Sequence, residues 1–466
     1  MENTSLKEKI ALIFQDYRDL SNGDLSNGDF LSLKKRLDKE ITPTIDEKTK
    51  YAEVSTPYSL VEQILDKFPD EFWKNPLIKV FEPCCGKGAF LLSLFDRFFK
   101  GLEEVIEDKV DRSLHILGFI LYFADISESN ILIGREILIG YASLKCDSHI
   151  PTSLCNSFIC NSLGLRDGEW SQRFDAVIGN PPFNAGEHKI ILWPEFVYIA
   201  LEVWIKPGGY LAYIHPPLWR KPFFTNKKNY VKIFDLMTKD NKMIYLSING
   251  KKDGWATFNC GTRFDWYLIS TFDKGGAKTS QIEKGLTTIK GENDEIVELN
   301  LEDWNWLPSK NFDLVSSILV KDGEIEERCP ILYSRSFYGT DKSWMSPKNE
   351  ENGKEYIYPC IHSTLKGGVT RYYYSKVNNR GFFGVPKVIF GESGIFEPIL
   401  DVDGIYGMTH CAMGIEISGL EEGKKIVQAL KSDKFGKLIQ SCCFSSFRID
   451  WRMFIDFKRE FYLEFI

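Results

Sequence analysis

The chain has no Cys-x-x-Cys pair, although it carries eleven cysteines. Their spacing is irregular, and Cys84-Cys85 and Cys442-Cys443 stand side by side. This pattern speaks for reduced thiols and against structural zinc or a disulfide framework. No apolar run approaches the ~20 residues a bilayer span requires; the longest is Ile116 to Ala124. The opening Met1-Glu2-Asn3-Thr4-Ser5-Leu6-Lys7 has no secretory character, so a cytoplasmic location is expected. Basic charge is not in excess, since the formal net charge is −7. Nor is there a full three-glycine dinucleotide fingerprint or a Walker lysine, which argues against NAD or ATP.

What the chain does contain is Val177-Ile178-Gly179-Asn180-Pro181-Pro182-Phe183. The apolar run Phe174 to Ile178 reads as a buried strand. Two successive prolines then end the ladder, because neither has an N–H to donate. An amide oxygen, a free carbonyl and an aromatic face fall within four residues. That set suits a flat, neutral heterocyclic amine. The exocyclic amine of adenine is a poor nucleophile because its lone pair is delocalised. Acceptors at the Asn180 side chain and the Pro181 carbonyl favour a pyramidal nitrogen and localise that pair. The face of Phe183 stabilises positive charge growing on it. Taken alone, the same residues also describe a strand followed by a proline-rich turn.

Upstream, Val80-Phe81-Glu82-Pro83-Cys84-Cys85-Gly86-Lys87-Gly88-Ala89-Phe90 takes a strand through a glycine turn into a helix. Gly86 and Gly88 allow close backbone approach, and the helix start offers unpaired N–H groups. His115 to Ala124 reads as the next strand, ending in Asp125-Ile126. An acid there can accept from ribose hydroxyls, and Ile126 can pack on an adenine ring; Asp125 also reads as a helix cap. Before the loop, Thr56-Pro57 precedes the periodic residues Leu60, Val61, Ile64, Leu65 and Phe68, with Thr56 expected as cap and Pro57 at the first helical position.

These segments, in this order over residues 50–275, resemble the gamma group of amino-methyltransferases, the N6-adenine DNA methyltransferases that use S-adenosylmethionine. The resemblance implies an α/β fold: a Rossmann-like class I methyltransferase domain with a doubly wound, mostly parallel sheet, then a mixed α+β target-recognition domain. It implies that Thr56, Glu82, Pro83, Cys84, Gly86 and Gly88 hold the methionine part of the cofactor. Asp125 and Ile126 would take its ribose and adenine. Asn161, or alternatively Asp147, would reach the adenine amine. Asn180, Pro181, Pro182 and Phe183 would form the catalytic pocket for a flipped adenine. Phe264 is either its second aromatic wall or an ordinary strand core residue. Asn in the first motif position resembles adenine-N6 rather than cytosine-N4 enzymes. RNA or glutamine methyltransferases with similar motifs are one alternative, and an inactive DNA-binding module is another.

The organisation expected is a helical segment over 1–50, a catalytic domain over 51–275 and a target-recognition domain over 276–466 with a helical tail. Asp19 to Asp29 carries a tandem Asp-Leu-Ser-Asn-Gly and reads as a loop. Residues 361–390 hold Lys366, Arg371, Lys376, Arg380 and Lys387 with no acid, interleaved with Tyr372, Tyr373, Tyr374, Phe382 and Phe383. Arg220 and Lys221 open a second acid-free stretch, 216–234. Such stretches grip phosphates and stack bases, so double-stranded DNA is the expected partner. The other reading is a solvated strand face. No metal is required. Too few residues precede Tyr51 for a nuclease, so restriction would need a separate endonuclease.

Overall fold

The computed structural model describes residues 6–21, 27–41, 54–185, 190–222, 232–272, 285–321, 324–333, 338–349, 355–365, 367, 369–444 and 448–466. The chain forms two compact units, one of residues 1–217 with 225–301 and one of 218–224 with 302–466. The first is built on β1 (Val80–Glu82), β2 (Leu121–Asp125), β3 (Asn156–Ile159), β4 (Phe174–Gly179), β7 (Ile205–His215), β8 (Lys242–Asn249), β9 (Phe264–Ser270), β10 (Thr287–Lys290) and β11 (Ile296–Leu299). A separate ribbon pairs β5 (Asn184–Ala185) with β6 (Ile190–Ile191). The sheet order is β11-β10-β8-β9-β7-β4-β1-β2-β3. β3, β2, β1, β4 and β7 run parallel, and β9 lies antiparallel between β7 and β8. This is the expected α/β class, a doubly wound and mostly parallel sheet. Strand order reverses between β1 and β4, and the crevice at the carboxyl ends there is where such sheets bind ligands. Glu82 ends β1 and Gly179 ends β4.

The strands are apolar because helices cover them. The helix Ala89–Gly101 buries Phe90, Leu91, Leu92, Leu94, Phe95, Phe98 and Phe99. Helices Leu6–Ser21 and Asn27–Ile41 add Ile10, Ile13, Phe14, Tyr17, Leu33, Leu37 and Ile41 to the same apolar cluster. Phe14 lies so close to Gly140 that an added Cβ would sit 2.4 Å from its ring. Lys34 meets Glu62, whose other oxygen takes Arg97 at 2.6 Å. The N-terminal helices are thus part of the first unit's core.

Local differences from the sequence reading have physical causes. The expected 115–124 strand is shorter, starting at Leu121, and is preceded by a helix Lys109–His115 and a wide turn Ile116–Ile120. Arg112 of that helix ties down the segment before it by donating to the carbonyls of Phe99, Ile106 and Glu107. The tandem repeat is not one loop, because its first residues finish a helix at Ser21 and its last begin another at Asn27. The first unit runs past residue 275 to Leu301, because β10 pairs with β8 and β11 with β10.

The second unit is mixed α+β. Its strands are β12 (Ile331–Leu332), β13 (Met345–Ser346), β14 (Tyr358–Thr364), β15 (Thr370–Ser375), β16 (Lys387–Gly391), β17 (Gly394–Asp401), β18 (Gly407–Met408) and β19 (Ala412–Glu416). They form two sheets, β12-β19-β16-β17 and β13-β15-β14-β18. Helices Leu420–Lys431 and Asp433–Ser441 follow. The aromatic tail ends in 3₁₀ turns rather than an α-helix, with the rings of Phe454, Phe457 and Phe461 packed at tilted angles against one another. Lys387 sits opposite Asp401 in the β16–β17 ladder, and the two are buried 2.7 Å apart. Asp401 also accepts from the N–H groups of Ile405 and Tyr406. Lys387 therefore neutralises a buried carboxylate and offers no surface charge. Lys387→Met should lower the stability of the second unit by about 3 kcal/mol, because it strands that carboxylate; urea unfolding would measure the loss.

Candidate active site

The loop after β1 is shaped by its glycines and by one carboxylate. Gly86 (φ 51°) and Gly88 (φ 89°) adopt left-handed conformations. At Gly88 a Cβ would also come within 3.2 Å of the Gly134 backbone, so side chains are doubly disfavoured there. Asp125, at the end of β2, accepts from the N–H of Gly86 at 2.9 Å and of Ser127 at 2.8 Å. Asn130 Nδ2 adds a third donor at 3.2 Å. Ser127, not Asp125, caps the helix Glu128–Cys146. Burial raises the Asp125 pKa, and these hydrogen bonds oppose the shift.

Across the crevice, Asn180 Nδ2 donates to Thr56 Oγ1 at 3.2 Å. This leaves Asn180 Oδ1 buried with no hydrogen-bond partner. Thr56 is free for the contact because it is not the helix cap. Pro57 holds the cap position of the helix Tyr58–Leu65, and its carbonyl accepts from Leu60 and Val61. Pro181 is buried, while Pro182 and Phe183 are half-buried. The Phe183 carbonyl accepts from Leu192 at 3.1 Å, which ties the base of the β5–β6 ribbon. Ile190 and Ile191 on that ribbon are exposed.

Glu82 is 2% exposed, and its Oε2 has no partner. Burial and then the neighbouring Asp125 carboxylate push its pKa well above the usual range. Tyr58 and Tyr213 hydroxyls are likewise buried and unpartnered, and burial raises both phenols. Neither tyrosine stood out in the sequence. Each lies inside an apolar-periodic segment, and only their position near Glu82 gives them meaning.

The remaining candidates divide. Ile126 is 63% exposed at the mouth of β2. Cys84 is half-buried, and all eleven cysteines are free thiols. Asn161 lies just beyond the carboxyl end of β3 and caps a short turn through the N–H of Leu163. Asp147 ends the helix that leads into β3, on the opposite edge of the sheet. Phe264 is 1% exposed and packs edge-on against Phe258 within the core cluster. Arg220 is also buried. It donates to the carbonyls of Leu307 and Pro308, which removes it from any phosphate-binding face. Lys221 pairs with Asp450 at 3.4 Å. Arg371 and Arg380 are exposed; Lys376 is exposed and joined to Glu355 at 2.8 Å. Lys366 lies outside the described residues.

No family model matches the chain. An uncharacterised adenine-specific methylase of Mycoplasma pneumoniae is 34% identical to it, over 43% of this chain and 63% of that protein. This relative supports the resemblance to adenine-specific methyltransferases. The chain spans less than two thirds of that relative's length. The type IIL restriction-modification enzyme MmeI, solved in complex with DNA, superposes with a TM-score of 0.52 at 12% identity, over 91% of this chain and 70% of that one. At this identity the likeness is one of fold. It spans both units, and no described helix is long and apolar enough to cross a membrane.

The Glu82 carboxyl makes a testable demand on the ligand-free protein. Folding raises its pKa, so its contribution is full below the ordinary value of 4.5 and is lost as pH climbs toward the folded value. Glu82→Gln should therefore raise the melting temperature at pH 8 by roughly 2 °C and change it little at pH 5. Equal shifts at both pH values would refute the assignment.

Proposed function

We propose that the chain is a DNA methyltransferase that transfers a methyl group from S-adenosylmethionine to N6 of adenine. The observation that carries this reading is the buried, unpartnered Asn180 Oδ1, aimed by Thr56 and followed by two prolines and Phe183. A buried acceptor without a donor costs free energy, and a substrate N–H offsets it. S-adenosylmethionine, when bound, supplies an electrophilic methyl group. The residues fit its parts: Glu82 and the loop through Gly88 for the amino-acid end, Asp125 for the ribose hydroxyls, Ile126 for a ring face, and Asn161 rather than Asp147 for the adenine amine.

The target amine donates to Asn180 Oδ1 and the Pro181 carbonyl, which localises its lone pair. The positive charge that grows on nitrogen meets these fixed dipoles and the face of Phe183. Asn180 is too weak a base to take the proton early, so proton loss follows transfer. The adenine leaves the duplex to reach this pocket, because its amine is otherwise paired. Cofactor and base positioning, rather than acid–base chemistry, carries the rate. Arg371 and Arg380 with half-buried Tyr372, Tyr373 and Tyr374 make the second unit's phosphate-facing surface. Restriction-modification is the setting this reading suits, with cleavage supplied by a separate endonuclease inside the cell.

Purified protein incubated with S-adenosylmethionine and unmethylated genomic DNA should yield N6-methyladenine, read by mass spectrometry of the nucleosides. Asn180→Ala should cut that rate by about a thousandfold while keeping cofactor affinity. An unchanged rate would remove the pocket assignment, and methylated RNA or protein in place of DNA would redirect the substrate. Arg371→Ala should weaken DNA binding uniformly across sequences and lower the salt-dependence slope by about one, measured by fluorescence anisotropy.

A further inference from the structure

His215 ends β7 and is wholly enclosed. A buried imidazole costs free energy unless its ring nitrogens find partners. Its Nδ1 lies 3.0 Å from the Pro216 carbonyl, which can only accept, so Nδ1 carries the proton. Nε2 is then an acceptor, and it meets the donating hydroxyl of Tyr267 on β9 at 2.9 Å. The two bonds fix tautomer and ring plane together. Burial draws the His215 pKa down to about 3, so the ring is neutral at neutral pH. Trp193 lies flat on it, with ring centroids 4.1 Å apart and an interplanar angle of 13°. Trp193 is itself buried and opens the helix Trp193–Ile199.

The residue before Trp193 is Leu192, whose N–H donates to the Phe183 carbonyl at 3.1 Å. The segment that carries Phe183 is therefore held at both ends. β4 fixes its start, where Gly179 pairs with Tyr213, two residues short of His215. The stacked rings of His215 and Trp193 fix its return. Phe183, between them, packs on the core cluster and stays half-buried. A hydrocarbon ring at position 215 can stack on Trp193 but cannot anchor its own plane, since it has no polar atom for Pro216 or Tyr267.

We propose that His215 is a positioning residue for methyl transfer: clamped by Pro216 and Tyr267, its ring seats Trp193 and so sets where the Phe183 ring stands against the target amine. This rests on the proposed function. His215 touches neither substrate nor cofactor, and it exchanges no proton during the reaction. Its effect reaches the amine through Phe183, as a matter of placement, on which transfer rates depend steeply. Affinity for S-adenosylmethionine, assigned to the loop after β1 across the crevice, should not depend on it.

The test is a double-mutant cycle on the full chain, read as the single-turnover rate of adenine methylation with enzyme in excess over unmethylated genomic DNA and saturating S-adenosylmethionine. His215→Phe should lower that rate by about tenfold. The KM for DNA and the affinity for S-adenosylhomocysteine should stay within about twofold of native. In a Phe183→Leu background the same change should have no further effect, because the aromatic face it places is gone. Tyr267→Phe removes only the hydroxyl that Nε2 accepts from. It should give a smaller loss of the same kind, and none once residue 215 is changed. That variant carries the same cycle with Phe183→Leu if His215→Phe does not fold. Equal losses with and without the Phe183 ring would overturn the positioning role and leave the proposed function standing. A raised KM with an unchanged rate, or native rates in both variants, would overturn it as well. Native protein that methylates no DNA would overturn the proposed function, and this inference with it.

Discussion

The Asp125 carboxylate is the constraint on which the first unit's ligand-facing edge depends. It stands at the end of β2, yet it receives the N–H of Gly86 from the loop after β1 and the N–H of Ser127 ahead of the next helix. Two strand ends and two helix starts are thereby tied to a single group. The left-handed turns at Gly86 and Gly88 cost little backbone free energy in glycine, and the carboxylate selects one arrangement among those glycine allows. The same negative charge weighs on Glu82 from the neighbouring strand. One residue therefore orders the loop and makes the adjoining position receptive to positive charge.

Much of this was legible in the sequence because it is local. The strand ending in Asn-Pro-Pro-Phe, the glycine turn between β1 and its helix, and the acid at the end of β2 each follow from residues within a short window. The parallel sheet follows from their alternation with apolar-periodic helices. What escaped was settled by distant partners. Thr56 has all the marks of a cap, yet its hydroxyl meets Asn180, 124 positions away. Arg220 lies in an acid-free run that looks like a phosphate grip, yet carbonyls near residue 308 enclose it. Lys387 stands in a basic stretch but has its acid across a ladder. Charge counted along a chain does not say which charges face water.

The basic-aromatic stretch of the second unit is accordingly smaller than its composition implies. With Lys387 buried and Lys376 joined to Glu355, its exposed cations are fewer than the sequence count. On the proposed function, a protein with net charge −7 would meet DNA through a small positive surface against an acidic background. Binding to a polyanion on those terms is sensitive to salt and to orientation, which favours selective over indiscriminate engagement.

The Thr56–Asn180 contact also bears on how the molecule is made. Synthesis runs from the N-terminus, and folding can begin before it ends. The glycine loop, Asp125 and the helix Glu128–Cys146 lie within a span of fewer than a hundred residues and can come together while the chain is still growing. The acceptor oxygen cannot be aimed until β4 has been made and docked beside β1, which closes a long loop against chain entropy. The half of the crevice proposed to grip the cofactor can thus form early, whereas the half proposed to hold the target amine must wait for long-range assembly.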